Sequence, residues 1–285
     1  MGQFRLRPYQ QEAIRAVLQR RRQGVRRMVV HLPTGAGKTV IFAELARLAR
    51  QPVLVLAHRT ELVQQAADKV RRALGPDGGK VCVEQANSHA DGDARVVVAS
   101  IRSLHESRLA RLQSDLSFGL VVYDECHHAT ADANKAVLEG LGAFEPDWSG
   151  TLLGFTATPM RADGVGLDLV FEELVYSRPL SRMIADGWLV PLRGYRVATQ
   201  ADLQHVATTR SDLVLEQLAE AIDIEDRNAL VARTIQELAR DRRTLCFCVT
   251  VRHARRLATA LRSVGLPAGV IHGEMSKDER AGVLA

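Results

Sequence analysis

The chain has 285 residues, of which 46% are apolar and 25% charged, and these proportions exclude a disordered or fibrous protein. Its longest apolar runs, such as Val53–Ala57, have five residues, whereas a helix that spans a membrane needs about 18, so the sequence predicts no transmembrane segment. The net charge is +5, and a basic chain permits a nucleic-acid partner without establishing one.

Arginine dominates the basic residues, since only five of the 38 are lysines. GC-rich coding explains this bias, and phosphate recognition is the alternative because a guanidinium pairs bidentately with phosphate. Four scattered cysteines are too few for a disulfide scaffold, and the first residues contain no apolar segment typical of a signal peptide. These features predict a reducing, cytoplasmic location.

Short apolar runs alternate with amphipathic stretches over the first half of the chain. The runs do not alternate in polarity, which is typical of strands buried on both faces; they are Met28–His31, Val53–Ala57, Val96–Ser100, Leu120–Tyr123 and Leu152–Phe155. The predicted helices are Gln10–Arg22, Thr39–Arg50, Glu61–Leu74 and Asn134–Leu141. Strands that alternate with helices predict an α/β fold, with a parallel sheet and helices on both faces.

The alternation weakens after Pro159 and resumes near Asp226. In between, Leu180–Asp186 is predicted as a short helix, Trp188–Val197 as a strand or connector, and Ala201–Asp226 as partly helical. The resumed pattern predicts helices over Arg227–Arg240 and Val251–Val264, and strands over Thr244–Val249 and Ala268–Ile271. We therefore predict a first lobe over 1–190, a connector over 191–225 and a second lobe over 226–285. A complete α/β lobe needs about 100 residues, so the second is predicted to be incomplete.

The strongest motif is Leu32-Pro33-Thr34-Gly35-Ala36-Gly37-Lys38-Thr39, which follows a predicted strand and opens a predicted helix. This context is that of a phosphate-binding loop, whose backbone N–H groups and helix N-terminus attract an anion. Lys38 is predicted to reach the β- and γ-phosphates and Thr39 to hold Mg²⁺ through its hydroxyl. Leu32 departs from the strict pattern, which has glycine there. A plain glycine turn before a helix is the alternative.

Two adjacent carboxylates, Asp124 and Glu125, follow the predicted strand Leu120–Tyr123. Ligands of open parallel sheets bind at the carboxyl ends of the strands. Asp124 is predicted to hold Mg²⁺, partly through water, and Glu125 to deprotonate the attacking water. Solvated acids at a strand end are the alternative, which the phosphate-loop motif earlier in the chain disfavours.

A third motif, Gly154-Phe-Thr156-Ala157-Thr158-Pro, follows the next strand. Its two hydroxyls are placed to bond the Asp-Glu strand end or His127, and such a link is expected to report the nucleotide state elsewhere. An ordinary turn is the alternative.

Together these motifs resemble those of superfamily 2 helicases and translocases of the DEAD/DEAH type, here with Asp-Glu-Cys-His as the box. Within that group they look like the branch of type III restriction motor subunits, repair helicases such as XPB and RadD, and mitochondrial branch-migrating helicases. The resemblance implies two RecA-like lobes that use ATP and Mg²⁺ to move along nucleic acid, with DNA favoured by analogy alone. It covers the chain from the N-terminus to Ala285.

The resemblance also assigns roles to individual residues. Arg7-Pro8-Tyr9-Gln10 is similar to the adenine-reading element, which implies that Gln10 contacts the base. Two segments resemble those that grip a nucleic-acid strand, and they supply Arg59 and Ser100 as contacts. Thr156 and Thr158 resemble the coupling motif, with His127 as their partner.

The second lobe of this family also carries an arginine motif that reaches the γ-phosphate. Cys246–Thr250 and Val270–Met275 look like the opening of that lobe, and the chain stops before the arginine motif. The alternative function is therefore a truncated module that binds ATP and nucleic acid with little turnover. A kinase or small GTPase is disfavoured because it lacks the strand-contact and coupling motifs.

Other clusters invite weaker interpretations. The arginines between 20 and 27 fit either a DNA contact or, preferably, a solvated helix end. Cys246 and Cys248 share one face of a predicted strand, which indicates core packing because no further ligands lie at zinc spacing. His127 and His128 suggest a metal site, although a hydrogen-bonding role fits His127 better.

Overall fold

The structure is a computed structural model that describes residues 5–57, 60–158, 166–199, 205–209 and 212–284. The chain divides into two compact units, Met1–Leu192 and Arg193–Ala285. No helix in the described ranges is long and apolar enough to cross a membrane.

The first unit is built around one seven-stranded sheet. Its elements are α1 (Pro8–Arg22), β1 (Arg27–His31), α2 (Lys38–Leu48), β2 (Val53–Ala57), α3 (Thr60–Leu74), β3 (Val81–Glu84), β4 (Val96–Ser100), α4 (Glu106–Asp115), β5 (Leu120–Asp124), α5 (Asp132–Gly140), β6 (Leu152–Thr156), β7 (Glu173–Ser177) and α6 (Leu180–Ala185). The strand order is β3-β4-β2-β5-β6-β1-β7, and neighbouring strands pair in parallel.

The predicted α/β fold is confirmed, because helices cover both faces of this sheet. One apolar cluster contains buried side chains of α1, α2 and α3, and the other contains those of α4 and α5. Alternate residues of a strand enter opposite clusters: Val122 of β5 lies in the first, and Val121 and Tyr123 lie in the second. All five predicted strands of this unit form, within one residue of their predicted ends.

The sequence analysis missed β3, β7 and α4. Both strands lie at the edges of the sheet, and both carry alternately or partly exposed residues, so neither has the uniformly apolar pattern of a central parallel strand. Helix α4 buries only Leu109 and Leu112, which leaves too narrow an apolar stripe for a clear prediction.

The second unit is mainly helical in its described residues. It contains β8 (Thr208–Thr209), β9 (Asp212–Leu213), α7 (Leu215–Ile222), α8 (Glu225–Ala239), α9 (Val251–Ser263) and α10 (Lys277–Leu284). Strands β8 and β9 form a short antiparallel pair. The predicted helices over 227–240 and 251–264 are confirmed as α8 and α9, which pack together.

The strands predicted over Thr244–Val249 and Ala268–Ile271 are wrong, and so is the strand alternative for Trp188–Val197. A parallel strand requires neighbours that complete its backbone hydrogen bonds, and these segments pair with no strand in the part of the chain described. Core packing of the cysteine pair is wrong for the same reason, since Cys246 is exposed and Cys248 half-buried.

Candidate functional site

Three of the predicted motifs meet at one edge of the first sheet. Strands β5, β6 and β1 are neighbours and run in parallel, so their carboxyl ends lie side by side. Strand β1 leads into the loop Leu32–Thr39, β5 ends at Asp124, and β6 ends at Thr156. Ligands of open parallel sheets bind at this edge.

The loop Leu32–Thr39 has the backbone conformation that its glycines permit. Gly35 and Gly37 have φ angles of +85° and +77°, in the left-handed region that costs other residues free energy. A Cβ on Gly37 would also lie 2.7 Å from Gln10 Nε2. Leu32, in contrast, is fully buried and donates its N–H to the Thr156 carbonyl at 3.0 Å. Leu32 therefore continues the hydrogen bonding of the sheet, and the glycine that the strict motif has at this position is not needed.

Backbone donors of this loop remain available for a ligand. Among the described residues, no backbone acceptor pairs with the N–H groups of Gly35, Gly37 and Lys38, which lie in the loop and at the first position of α2. Unpaired N–H groups at a helix start favour an anion. The loop therefore fits a phosphate group, as its sequence predicts.

Lys38 and Glu125 meet directly at this edge. Lys38 Nζ lies 3.3 Å from Glu125 Oε1, and the Lys38 side chain is only 10% exposed. Glu125 has a φ of +54°, a left-handed conformation that costs a residue with a Cβ about 1–3 kcal/mol and often marks functional sites. In this arrangement the carboxylate is the counter-ion of the lysine.

Asp124 occupies the more buried of the two carboxylate positions. Burial and, to a smaller extent, the charge of Glu125 together raise the pKa of Asp124 to about 6, while Lys38 opposes both effects. Its Oδ1 accepts the Glu125 N–H at 3.1 Å. A divalent cation would favour the charged form of this carboxylate. Its oxygens and the Thr39 hydroxyl are the hard donors that Mg²⁺ prefers, so these residues fit that ion.

His127 connects the carboxylates to the Thr156–Thr158 segment. Its Nδ1 lies 3.2 Å from Thr156 Oγ1 and 3.5 Å from Glu125 Oε2. Thr156 Oγ1 also accepts the Thr158 N–H at 3.0 Å. The hydrogen bond that the sequence analysis preferred for His127 is therefore present. The metal interpretation of His127 and His128 has no support in the described ranges, where no group of three metal-ligating side chains converges.

Gln10 lies against the phosphate loop with both amide atoms in use. Its Oε1 accepts the Arg7 N–H at 2.9 Å, and its Nε2 donates to the Ala36 carbonyl at 3.3 Å. Tyr9, to which the sequence analysis gave no role, donates its hydroxyl to the same carbonyl at 2.7 Å. Because the amide oxygen has a second lone pair and the amide nitrogen a second hydrogen, contact of Gln10 with a base does not require either bond to open.

The predicted nucleic-acid contacts are placed less clearly. Ser100 ends β4 and is 5% exposed, so a contact through its hydroxyl needs a local movement. Arg59 lies outside the described residues. In the basic cluster, Arg20 pairs with Glu173, and Arg21 donates to Thr151. These bonds support the helix-end interpretation of that cluster over a DNA contact.

His31 is a site residue that the sequence analysis missed. It is the last residue of β1, immediately before the phosphate loop. One ring nitrogen contacts Ser177, the last residue of the neighbouring strand β7, and the other contacts Ala157, the first residue after the neighbouring strand β6. The sequence feature that could have identified His31 is that it is a polar residue at the end of an apolar run, directly before the phosphate loop.

Comparison with known proteins decides the family. The family model described as type III restriction enzyme, res subunit, matches residues 3–161, more than half of the chain. The chain belongs to this family. The resemblance to superfamily 2 helicases is thereby confirmed in the branch that the motifs indicated.

Relatives and solved structures agree with this family. The chain is 35% identical over 284 residues to irc3 of Schizosaccharomyces pombe, named as a mitochondrial ATP-dependent helicase, and 32% identical over 293 residues to IRC3 of Saccharomyces cerevisiae, named as an ATP-dependent helicase. These alignments cover 97% and 98% of this chain but only 46% and 42% of the relatives, so the chain spans less than half their length.

A solved structure shows the same fold. The type ISP restriction-modification enzyme LlaBIII bound to DNA matches with a TM-score of 0.58 and 15% identity, over 92% of this chain and 22% of that one. The fold is the RecA-like fold of helicases.

Proposed function

We propose that this protein is an ATP-dependent helicase or translocase that couples ATP hydrolysis to movement along nucleic acid, with DNA as the preferred substrate. The observation that carries the proposal is the contact of 3.3 Å between Lys38 of the phosphate loop and Glu125 of the carboxylate pair. It joins the phosphate-binding and water-activating groups of an ATPase at the ligand-binding edge of the sheet.

Each group at this edge has a distinct role in the proposal. The loop Pro33–Thr39 binds the phosphates through its backbone N–H groups, and Lys38 leaves Glu125 to bind the β- and γ-phosphates. The departure of the lysine frees the Glu125 carboxylate, which then accepts a proton from the attacking water. Gln10 holds the loop through the Ala36 carbonyl and contacts the adenine with the remaining hydrogen-bonding positions of its amide.

Thr39 and Asp124 are the residues that we propose for Mg²⁺. A bound Mg²⁺ would neutralise the charge that develops on the phosphate oxygens. Asp124 holds a negative charge most readily when a cation lies beside it, because burial raises its pKa.

Coupling in this proposal begins at His127. A change in the position of Glu125 shifts its partner His127, and His127 bonds Thr156 in turn. We propose 1–190 as the first lobe, 191–225 as the connector and 226–285 as part of the second lobe. We also propose Arg59 and Ser100 as contacts to the nucleic-acid backbone, for which the family resemblance is the support.

The choice of a motor acting on DNA rests on relatives. Both yeast relatives are named as ATP-dependent helicases, and the LlaBIII structure contains DNA. These names favour a motor over a truncated module that binds ATP and nucleic acid with little turnover. We further propose a cytoplasmic location, since Cys82 and Cys126 are buried free thiols, as expected of a reducing compartment.

The proposed function is tested by measuring steady-state ATPase activity without nucleic acid and with single-stranded DNA, duplex DNA or RNA. We expect stimulation by nucleic acid, greatest with DNA. Displacement of a short strand from a partial duplex then distinguishes unwinding from translocation. The variant Glu125→Gln should abolish both signals, and Glu139→Gln on the exposed face of α5 is the matched control. ATPase activity that no nucleic acid stimulates would contradict the proposal.

A further inference from the structure

His31 occupies a junction of three strand ends. It is the last residue of β1, and its Cα pairs with that of Thr156 on one side and that of Ser177 on the other. The next residue, Leu32, begins the phosphate loop. A side chain at this position therefore lies between the loop, the end of β6 and the end of β7.

The ring of His31 bridges the two neighbouring strands. Its Nε2 lies 3.2 Å from the Ala157 carbonyl, and its Nδ1 lies 2.9 Å from Ser177 Oγ. Because a carbonyl only accepts, Nε2 must carry the hydrogen, and in the neutral ring Nδ1 then accepts from the serine hydroxyl. Both polar atoms of the ring are thus used, one toward each strand.

The sheet does not need this bridge to hold its strands together at this point. The Leu32 N–H already donates to the Thr156 carbonyl at 3.0 Å, and the Arg178 N–H donates to the His31 carbonyl at 3.1 Å. These backbone bonds fix the register of β6, β1 and β7. The half-buried ring of His31 adds a second connection, between the Thr156–Thr158 segment at the end of β6 and Ser177 at the end of β7.

One end of the bridge reaches the catalytic carboxylates. Ala157 lies between Thr156 and Thr158, and Thr156 Oγ1 contacts His127, which is 3.5 Å from Glu125. A displacement of Glu125 by nucleotide is therefore connected to the carbonyl that His31 holds.

The other end reaches the turn between β7 and α6. Ser177 is followed by Arg178, whose guanidinium pairs with Asp186 just after α6 and with Glu12 of α1 at 3.2 Å. The last residues of the first unit follow this turn. Among the described residues, no other side chain forms hydrogen bonds to both Ala157 and Ser177.

We propose that His31 is a positioning residue that links the phosphate loop and the Thr156–Thr158 segment to the β7–α6 turn, so that nucleotide binding changes the mobility of that turn. The inference rests on the proposed function because it assumes that the loop binds nucleotide. His31 itself touches no substrate in this proposal. It extends the coupling route beyond the threonines, to a part of the unit that the motifs did not indicate.

Hydrogen–deuterium exchange of the full chain tests the proposal, with and without Mg²⁺, ADP and beryllium fluoride. In the unchanged protein we expect nucleotide to slow exchange in the loop 32–39 and in the segment 177–186, which comprises the β7–α6 turn and α6 itself. In His31→Ala the loop should still be protected, while the nucleotide-dependent change in the turn should fall to about half or less. An unchanged response of the turn in His31→Ala would overturn the proposal, and so would a turn that never responds.

Conservative variants separate the two bonds. His31→Gln places an amide where Nε2 contacts Ala157, and His31→Asn places one where Nδ1 contacts Ser177. Each should restore part of the response of the turn, which a merely structural role for the ring would not produce. Ser177→Ala removes only the hydrogen bond between Ser177 and His31. It should also reduce the nucleotide-dependent change in the turn, and it therefore replaces His31→Ala if that variant fails to fold. Equal responses in all four variants and the unchanged protein would overturn the proposal.

The matched control is His105→Ala. His105 is also a histidine whose Nδ1 contacts a serine hydroxyl, Ser107 Oγ at 3.0 Å, but it lies at the start of α4. Its replacement should leave the response of the turn unchanged.

The exchange experiment uses no nucleic acid, so it still tests the role of His31 if nucleic acid fails to stimulate the ATPase and the proposed motor function fails. Loss of nucleotide binding in the unchanged protein would contradict both.

Discussion

Strand β5 and the segment Thr244–Val249 have similar apolar sequences and different structures. Strand β5 lies between β2 and β6, and its central residues are fully buried. Thr244–Val249 forms no strand, and Leu245 and Phe247 are 76% and 96% exposed. An apolar run therefore becomes a parallel strand only where strands on both sides accept its hydrogen bonds. The site at the end of β5 therefore depends on the pairing of β5 with β2 and β6.

Hydrogen exchange should show the largest difference between these two regions. Amides of β5 are expected to open only with global unfolding, which costs about 5–15 kcal/mol in typical domains. Amides of Thr244–Val249 should exchange at rates close to those of an unstructured peptide. The two sets should thus differ by about a thousandfold or more. Similar protection in both would mean that the segment pairs with a strand in solution.

Glu125→Gln should show how much of the chemistry belongs to the end of β5. The amide keeps the size of the side chain but cannot accept a proton, so turnover should fall by about 10²–10⁴-fold. Binding of ATP should persist or strengthen, because Lys38 loses the counter-ion that competes with phosphate. The measurements are single-turnover hydrolysis and equilibrium binding of a fluorescent ATP analogue. Equal loss of binding and turnover would contradict the role of Glu125 as a base.

Lys38→Ala should weaken ATP binding about 100-fold or more, because it removes the one side-chain cation that the loop provides for the phosphates. The same fluorescent analogue measures the effect. Lys135→Ala, on the exposed face of α5, is the control for a general loss of positive charge. Unchanged affinity in a folded Lys38→Ala protein would refute the phosphate-loop assignment.

The central part of the first unit could be predicted from sequence because its strands are buried on both faces. Strands β3 and β7 could not, since an edge strand has one exposed side. The site was predictable as far as motif spacing identifies a loop and a carboxylate pair. Its contacts were not: the bridge from His31 depends on β1 lying between β6 and β7, and local sequence does not encode strand order.

Arg59→Ala should have a moderate effect, confined to nucleic-acid binding. If Arg59 neutralises one phosphate, the slope of log affinity against log salt should decrease by about one unit. The control is Arg22→Ala at the exposed end of α1, far in sequence from the strand-contact segments. Titrations of a fluorescent single-stranded oligonucleotide at several salt concentrations give both slopes. Equal slopes for all three proteins would remove Arg59 from the interface.

The smallest expected effect contrasts the pH responses of the two units. In the second unit, burial lowers the pKa of His253, and Arg227 lowers it further while Asp223 opposes the change. In the first unit, burial raises the pKa of Asp124 to about 6. A lowered histidine pKa means that stability is lost as the pH falls below about 6.5. A raised aspartate pKa means the opposite, since stability is lost as the pH rises through about 6.

Acidification from about pH 7 to pH 5 in EDTA should therefore loosen α8 and α9 while slightly stabilising the sheet of the first unit. Exchange rates, corrected for the intrinsic pH dependence of amide exchange, measure both changes in one experiment. His253→Leu should abolish the loosening of the helices, because no buried imidazole remains to be charged, and Asp124→Asn should abolish the response of the sheet. If acid affects α8 and α9 equally in His253→Leu and in the unchanged protein, another group controls the pH response of the second unit. The ion pairs of the buried Asp223 with the exposed Arg252 and Arg256 would then be the next groups to replace.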